Sequence, residues 1–141
     1  VTAVPLRARL LVVEDDPDVG EALSLLLEDA GYSVELVRTG AEALAACRSR
    51  PPELALVDVS LPGGMDGLEL TRALGDDPRT REVPILLVSA RAHEDDVAAG
   101  LAAGARAYVV KPFRPDRLIS LVATTVVGQG QAHLEHGPDA D

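Results

Sequence analysis

The chain has 141 residues, 47% of them hydrophobic, enough for one domain of ordinary size with its own core. Its net charge of −10, from 23 acidic and 13 basic residues, disfavours nucleic acid, which is held by Lys and Arg on phosphates; three aromatics (Tyr32, Tyr108, Phe113) are too few for a base-stacking platform. No apolar run is long enough to span a membrane, and one cysteine, Cys47, agrees with a reducing compartment, so a cytoplasmic location is expected.

The N-terminus, "VTAVPLRARL", lacks both an initiator Met and the shape of a signal peptide. Residues 1–8 read as an extension, 9–127 as the domain and 128–141 as a flexible tail. "RLLVV" is the first strand. A helix begins at Pro17, with Val19, Ala22, Leu23, Leu26 and Ala30 at helical spacing and Gly31 to close it. "YSVELV" alternates enough to lie near an edge. "TGAEALAACRSR" is a second helix with Ala43, Leu44 and Cys47 on one side, stopped by Pro51 and Pro52. "LALVD" is the third strand, and "MDGLELTRALG" a helix whose start Asp66 marks. "VPILLVSA" is the fourth strand and "HEDDVAAGLAAGA" a soft, Ala-rich helix. "RAYVV" is the fifth strand, and "RPDRLISLVATTVV" a fifth helix with Leu118, Leu121, Val122 and Val126 at core spacing.

Strands apolar on both faces require helices on both sides of a parallel sheet. The fold class expected is therefore α/β, a doubly wound five-stranded parallel sheet; if its order is the flavodoxin-like 2-1-3-4-5, strands 1 and 3 are neighbours and Asp15 and Asp58 face one cleft. Such sheets take ligands beyond the carboxyl ends of their strands, where strand order reverses. The polar residues of interest stand there: Glu14, Asp15 and Asp16 after strand 1, Asp58 at the end of strand 3, Ser89 and the small Ala90 after strand 4, and Lys111-Pro112 after strand 5. Neighbouring carboxylates repel and raise one another's pKa unless a cation intervenes. Mg²⁺ suits one or two carboxylates with a phosphate oxygen, Lys neutralises phosphate and Ser donates to it. The set describes Mg²⁺-assisted phosphoryl transfer to a carboxylate, with Asp58 at its centre.

"LLVVEDDPDV", "LALVDVSLPG…MDGLEL", "PILLVSA" and "AYVVKPF" resemble, in order and spacing, the signature segments of response-regulator receiver domains of two-component phosphorelays, over residues 9–127. The resemblance implies Asp58 as phosphoacceptor. Mg²⁺ would bind Asp15, Asp58 and the Ser60 backbone carbonyl directly, and Glu14 through water. Ser89, Ala90 and Lys111 would hold the phosphoryl group. Tyr108 would be an aromatic switch turning inward when Ser89 moves, and the Lys111–Pro112 bond would be cis. It also implies a histidine kinase or phosphotransfer protein as donor and an output face made by the fourth helix, fifth strand and fifth helix. Apolar Ile119, Ala123 and Val127 on the fifth helix add to that face, which would bind an unidentified downstream protein or a second copy of the chain.

Blander readings stand beside these. Asp15 would also suit a helix start, although Asp16 is the better cap. Ser89 would also cap the next segment, Lys111 would be a solvated lysine and Tyr108 an edge-strand tyrosine. Cys47 reads as packing, His93 as a solvated helix start, and His133 and His136 in the tail as no site. "SLPGGMDG" carries one Gly more than the commoner loop of this kind, which reads as a tolerated variant. An aspartyl-nucleophile hydrolase usually places an acid two positions after its nucleophile, where this chain has Ser60, so catalysis is expected to be limited to self-phosphorylation and autodephosphorylation. The remaining alternative is a phosphorylation-independent, receiver-like interaction module.

Overall fold

The computed structural model describes residues 7–128. Expectations for residues 1–6 and 129–141, including those for His133 and His136, lie outside the described residues. Strands and helices alternate: β1 (Arg9–Val13), α1 (Pro17–Asp29), β2 (Ser33–Val37), α2 (Gly40–Ser49), β3 (Leu54–Asp58), α3 (Gly67–Asp76), β4 (Ile85–Ser89), α4 (Glu94–Ala102), β5 (Ala107–Val110) and α5 (Pro115–Val127). The five strands form one parallel sheet in the order β2-β1-β3-β4-β5, with Val13 opposite Val57 and Asp58 opposite Val88. This is the expected architecture and strand order.

Helix starts follow from local chemistry. Asp16 caps α1, its Oδ1 accepting from the backbone N–H of Asp18 (2.9 Å) and Val19 (3.3 Å), and Pro17 stands where a helix has no use for its N–H. Thr39 with Glu42, and Asp66 with Glu69, form capping boxes on α2 and α3. α4 ends at Ala102, short of the expected Ala105.

The sheet separates two cores. Leu10, Val12, Leu54, Leu56, Leu86, Val88 and Val109 pack with Leu23 and Leu27 of α1 and Leu118 and Val122 of α5. On the opposite face Leu11, Val13, Ala55, Val57, Ile85 and Leu87 meet Ala43 and Cys47 of α2, Leu70 and Leu74 of α3 and Val97 of α4. Truncating a buried leucine of either layer to alanine typically costs about 2–5 kcal/mol.

The expected stripes of α1 and α5 do face the core, with Leu23, Leu118 and Val122 buried and Leu26, Leu121 and Val126 half-buried against the same layer, but their edges differ. In α1 the fully buried positions are Gly20, Leu23 and Leu27, while Val19 is exposed. In α5 they are Leu118, Val122 and Thr125, with Leu121 and Val126 only half-buried. Thr125 is accommodated because its hydroxyl donates to the Leu121 carbonyl at 2.7 Å, leaving only its methyl to pack. Burial pushes the Cys47 thiol up to about 11, so it is a protonated packing group at neutral pH. Asp77 ties α2 to the loop after α3, accepting from Arg48 Nε and Arg79 Nη2, both at 3.0 Å. Its hydrogen bond from Arg79 leads in holding the carboxyl well below the usual range. Among the described residues, no helix is long and apolar enough to cross a membrane.

Candidate functional site

Parallel strands deliver all their carboxyl ends to one side of the sheet, and the chain reverses its direction of strand addition between β1 and β3. Asp58, the last residue of β3, and Glu14, the first after β1, are therefore brought to one crevice. Lys111, the first residue after β5, reaches across β4 towards them: its Nζ lies 2.9 Å from Asp58 Oδ2 and 3.4 Å from Glu14 Oε1. The other oxygen of Asp58 accepts from the backbone N–H of Ser60 at 2.8 Å. Both carboxylates are buried, at 9% exposure for Asp58 and 4% for Glu14.

Burial, together with hydrogen bonding to and repulsion by Asp58, raises Glu14 to about 7, against the backbone N–H of Asp16 and the charge of Lys111, which lower it. Burial alone would lower Lys111, but its hydrogen bond to Asp58 and the charges of Asp58 and Glu14 outweigh this and hold the ammonium above its ordinary value. Once Glu14 is deprotonated, the pair Asp58 and Glu14 carries more negative charge than one lysine neutralises.

Asp15 is half-buried beside Glu14, and its backbone carbonyl accepts from Arg38 Nη2 at 3.4 Å. No motif pointed to Arg38. Ser60 and Ala90 are exposed. Ser89, the last residue of β4, is buried, and its hydroxyl accepts from the Arg91 backbone N–H at 3.0 Å. Tyr108 in β5 is 1% exposed with its ring already inward, and its hydroxyl donates to the Arg91 carbonyl at 2.9 Å. The backbone of Arg91 is thus gripped on one side by Ser89 and on the other by Tyr108. The sequence carried no signal for this, because backbone groups take part whatever the side chain. The Lys111–Pro112 peptide bond is cis. In the loop after Asp58, Gly63 has a positive φ of 87°, whereas its neighbour Gly64 does not and has open space around it.

Among the described residues no three His, Cys, Asp or Glu side chains form a ready-made metal cage. Mg²⁺ does not require one: it keeps waters and binds through one or two carboxylates with phosphate oxygens. Hard oxygen donors in a crevice with surplus negative charge fit that ion.

Residues 10–123 match the response regulator receiver domain family. The chain is 40% identical over 117 residues to the DNA-binding response regulator MtrA of Mycolicibacterium smegmatis, covering 83% of this chain and 50% of that protein. It spans about half the length of the curated relatives it matches. The crystal structure of the signal receiver domain of a signal transduction histidine kinase from Syntrophus aciditrophicus superposes with a TM-score of 0.81 at 34% identity, over 89% of this chain and 95% of that one. A CheY-like response regulator receiver domain protein from Methanospirillum hungatei superposes with a TM-score of 0.81 at 31% identity, over 88% and 97%. With four signature segments meeting at one end of a 2-1-3-4-5 sheet, the chain belongs to the response regulator receiver domains of two-component signalling.

Proposed function

We propose that the chain is a phosphoaccepting receiver whose acceptor is Asp58. The observation that carries this is the Asp58 carboxylate at the carboxyl end of the central strand, paired at 2.9 Å with Lys111 and placed beside Glu14. A carboxylate oxygen of Asp58 forms a bond to phosphorus as the P–N bond of a phosphohistidine breaks; the electron pair returns to that nitrogen, and the imidazole leaves neutral because its other ring nitrogen already carries a proton. The donor is a histidine kinase or phosphotransfer protein. Asp15, Asp58 and the Ser60 carbonyl would hold Mg²⁺ directly, with Glu14 acting through water, and the ion would supply charge neutralisation at the phosphoryl oxygens.

Lys111 passes from the Asp58 carboxylate to a phosphoryl oxygen. Ser89 and the backbone of Ala90 hold another. A hydroxyl has one proton and two lone pairs, so Ser89 is able to donate to phosphate while still accepting from Arg91. Tyr108 is then favoured in its inward position through Arg91, and the face made by α4, β5 and α5 changes its affinity for a downstream protein. On this reading catalysis stops at self-phosphorylation and autodephosphorylation.

The test is intact mass after incubation with Mg²⁺ and acetyl phosphate. One phosphate is expected, absent from Asp58→Asn and from an EDTA control. No adduct, with beryllofluoride also failing to bind, would leave a phosphorylation-independent interaction module. On α5, Val127 is 88% exposed, with Ile119 and Ala123 half-buried. Pairing of two copies through this face predicts faster sedimentation of the phosphorylated form; equal sedimentation of both forms removes self-association.

A further inference from the structure

Gly100 interrupts a run of alanines in α4, although alanine is the better helix former at such a position. Tertiary packing supplies the reason. A Cβ at position 100 would stand 2.6 Å from Cδ2 and 3.1 Å from Cε2 of the Tyr108 ring, and 3.0 Å from Leu87 Cδ1. The leucine methyl ends a flexible side chain and is able to give way. The ring is a rigid plate buried to 1% exposure, tied at its far end to the Arg91 carbonyl. It has no room to recede.

We infer that Gly100 is the positioning residue for Tyr108: its missing side chain is the slot under α4 in which the ring lies. The consequence reaches the phosphorylation site. With the ring in the slot, Tyr108 holds the Arg91 carbonyl while Ser89 holds the Arg91 N–H, so one backbone unit links the end of β4 to β5 beneath α4. A side chain at 100 expels the ring, and that link is cut without any change to Asp58, Ser89 or Lys111. The signalling consequence rests on the function proposed above; the packing does not.

The experiment is nitration by tetranitromethane, with modified peptides mapped by mass. The chain has two tyrosines, and half-buried Tyr32 serves as internal reference. In the unaltered protein Tyr32 is expected to react and Tyr108 to be protected. In Gly100→Ala, Tyr108 is expected to react at least tenfold faster relative to Tyr32. A folded Gly100→Ala protein with Tyr108 still protected overturns the inference, because α4 rather than the ring has then moved. Should Gly100→Ala fail to fold, Tyr108→Val is compared with Gly100→Ala/Tyr108→Val. Equal or higher melting temperature in the double variant supports the inference. A double variant that loses as much as Gly100→Ala overturns it, since the glycine is then needed without the ring. Neither readout uses Mg²⁺ or a phosphodonor, so failure here is distinguishable from absence of an Asp58 adduct.

Discussion

Gly67→Ala is expected to lower the unfolding free energy by about 3 kcal/mol, the upper end of what overpacking a tight site costs. On the proposed function it should also slow phosphate uptake at Asp58, although no side chain of the candidate site is altered. A Cβ at position 67 would overlap the Asp58 carbonyl oxygen and would lie 2.7 Å from Val59 Cα and 3.0 Å from the Asp58 carbonyl carbon. All three are backbone atoms at the end of a central strand, with no flexible side chain to yield. The Gly67 N–H also donates to the Val59 carbonyl at 2.8 Å, so the start of α3 is fastened to the segment the new methyl would push away. The measurement is the urea midpoint at unchanged slope, with a time course of adduct formation by intact mass. An unaltered midpoint and time course would show that the β3–α3 turn gives way freely.

Lys111→Met should destabilise the protein by about 2 kcal/mol without Mg²⁺, and Mg²⁺ should restore more stability to this variant than it adds to the unaltered chain. Methionine keeps much of the stem and removes the ammonium, leaving Asp58 and Glu14 buried side by side without their shared cation. Stranding a buried charge typically costs about 3–5 kcal/mol, but the Lys111 side chain is 27% exposed, so water screens part of the loss and the smaller figure is expected. A divalent cation held among the same carboxylates would supply the charge of the missing ammonium. At one hundred times its dissociation constant a ligand adds about 2.7 kcal/mol to any form that binds it. Urea midpoints of both proteins with and without MgCl₂ give the comparison. Equal Mg²⁺ gains in the two would mean that Lys111 and the cation do not share a counter-charge role.

The strands, the helix starts and the address of the site were legible in the sequence because each depends on near neighbours or on topology. Leu54 to Val57 form a continuous apolar run, which only a sheet covered on both faces buries, and alternation of such runs with helices leaves a parallel sheet as the consistent arrangement. The helix starts at Asp16-Pro17, Thr39 with Glu42 and Asp66 with Glu69 are closed by bonds spanning three residues or fewer. A parallel sheet then puts every strand's carboxyl end on one side, so Glu14, Asp58, Ser89 and Lys111 share an end before any distance is known.

What periodicity could not supply was the edge of each buried stripe and the direction of long side chains. Val19 fits the apolar spacing of α1 yet is exposed, and Thr125 breaks the spacing of α5 yet is buried, because the neighbouring sheet decides which line of a helix is covered. The inward ring of Tyr108 depends on an absent side chain at Gly100, on another element. Lys111 finds Asp58 across 53 residues and Glu14 across 97, and the Arg91 backbone joins Ser89 to Tyr108 through groups every residue possesses. Local sequence determined the elements and the end of the sheet where the chemistry collects. Tertiary packing alone decided which groups touch there, because hydrogen bonds and steric limits act over a few ångström between residues that the chain holds far apart.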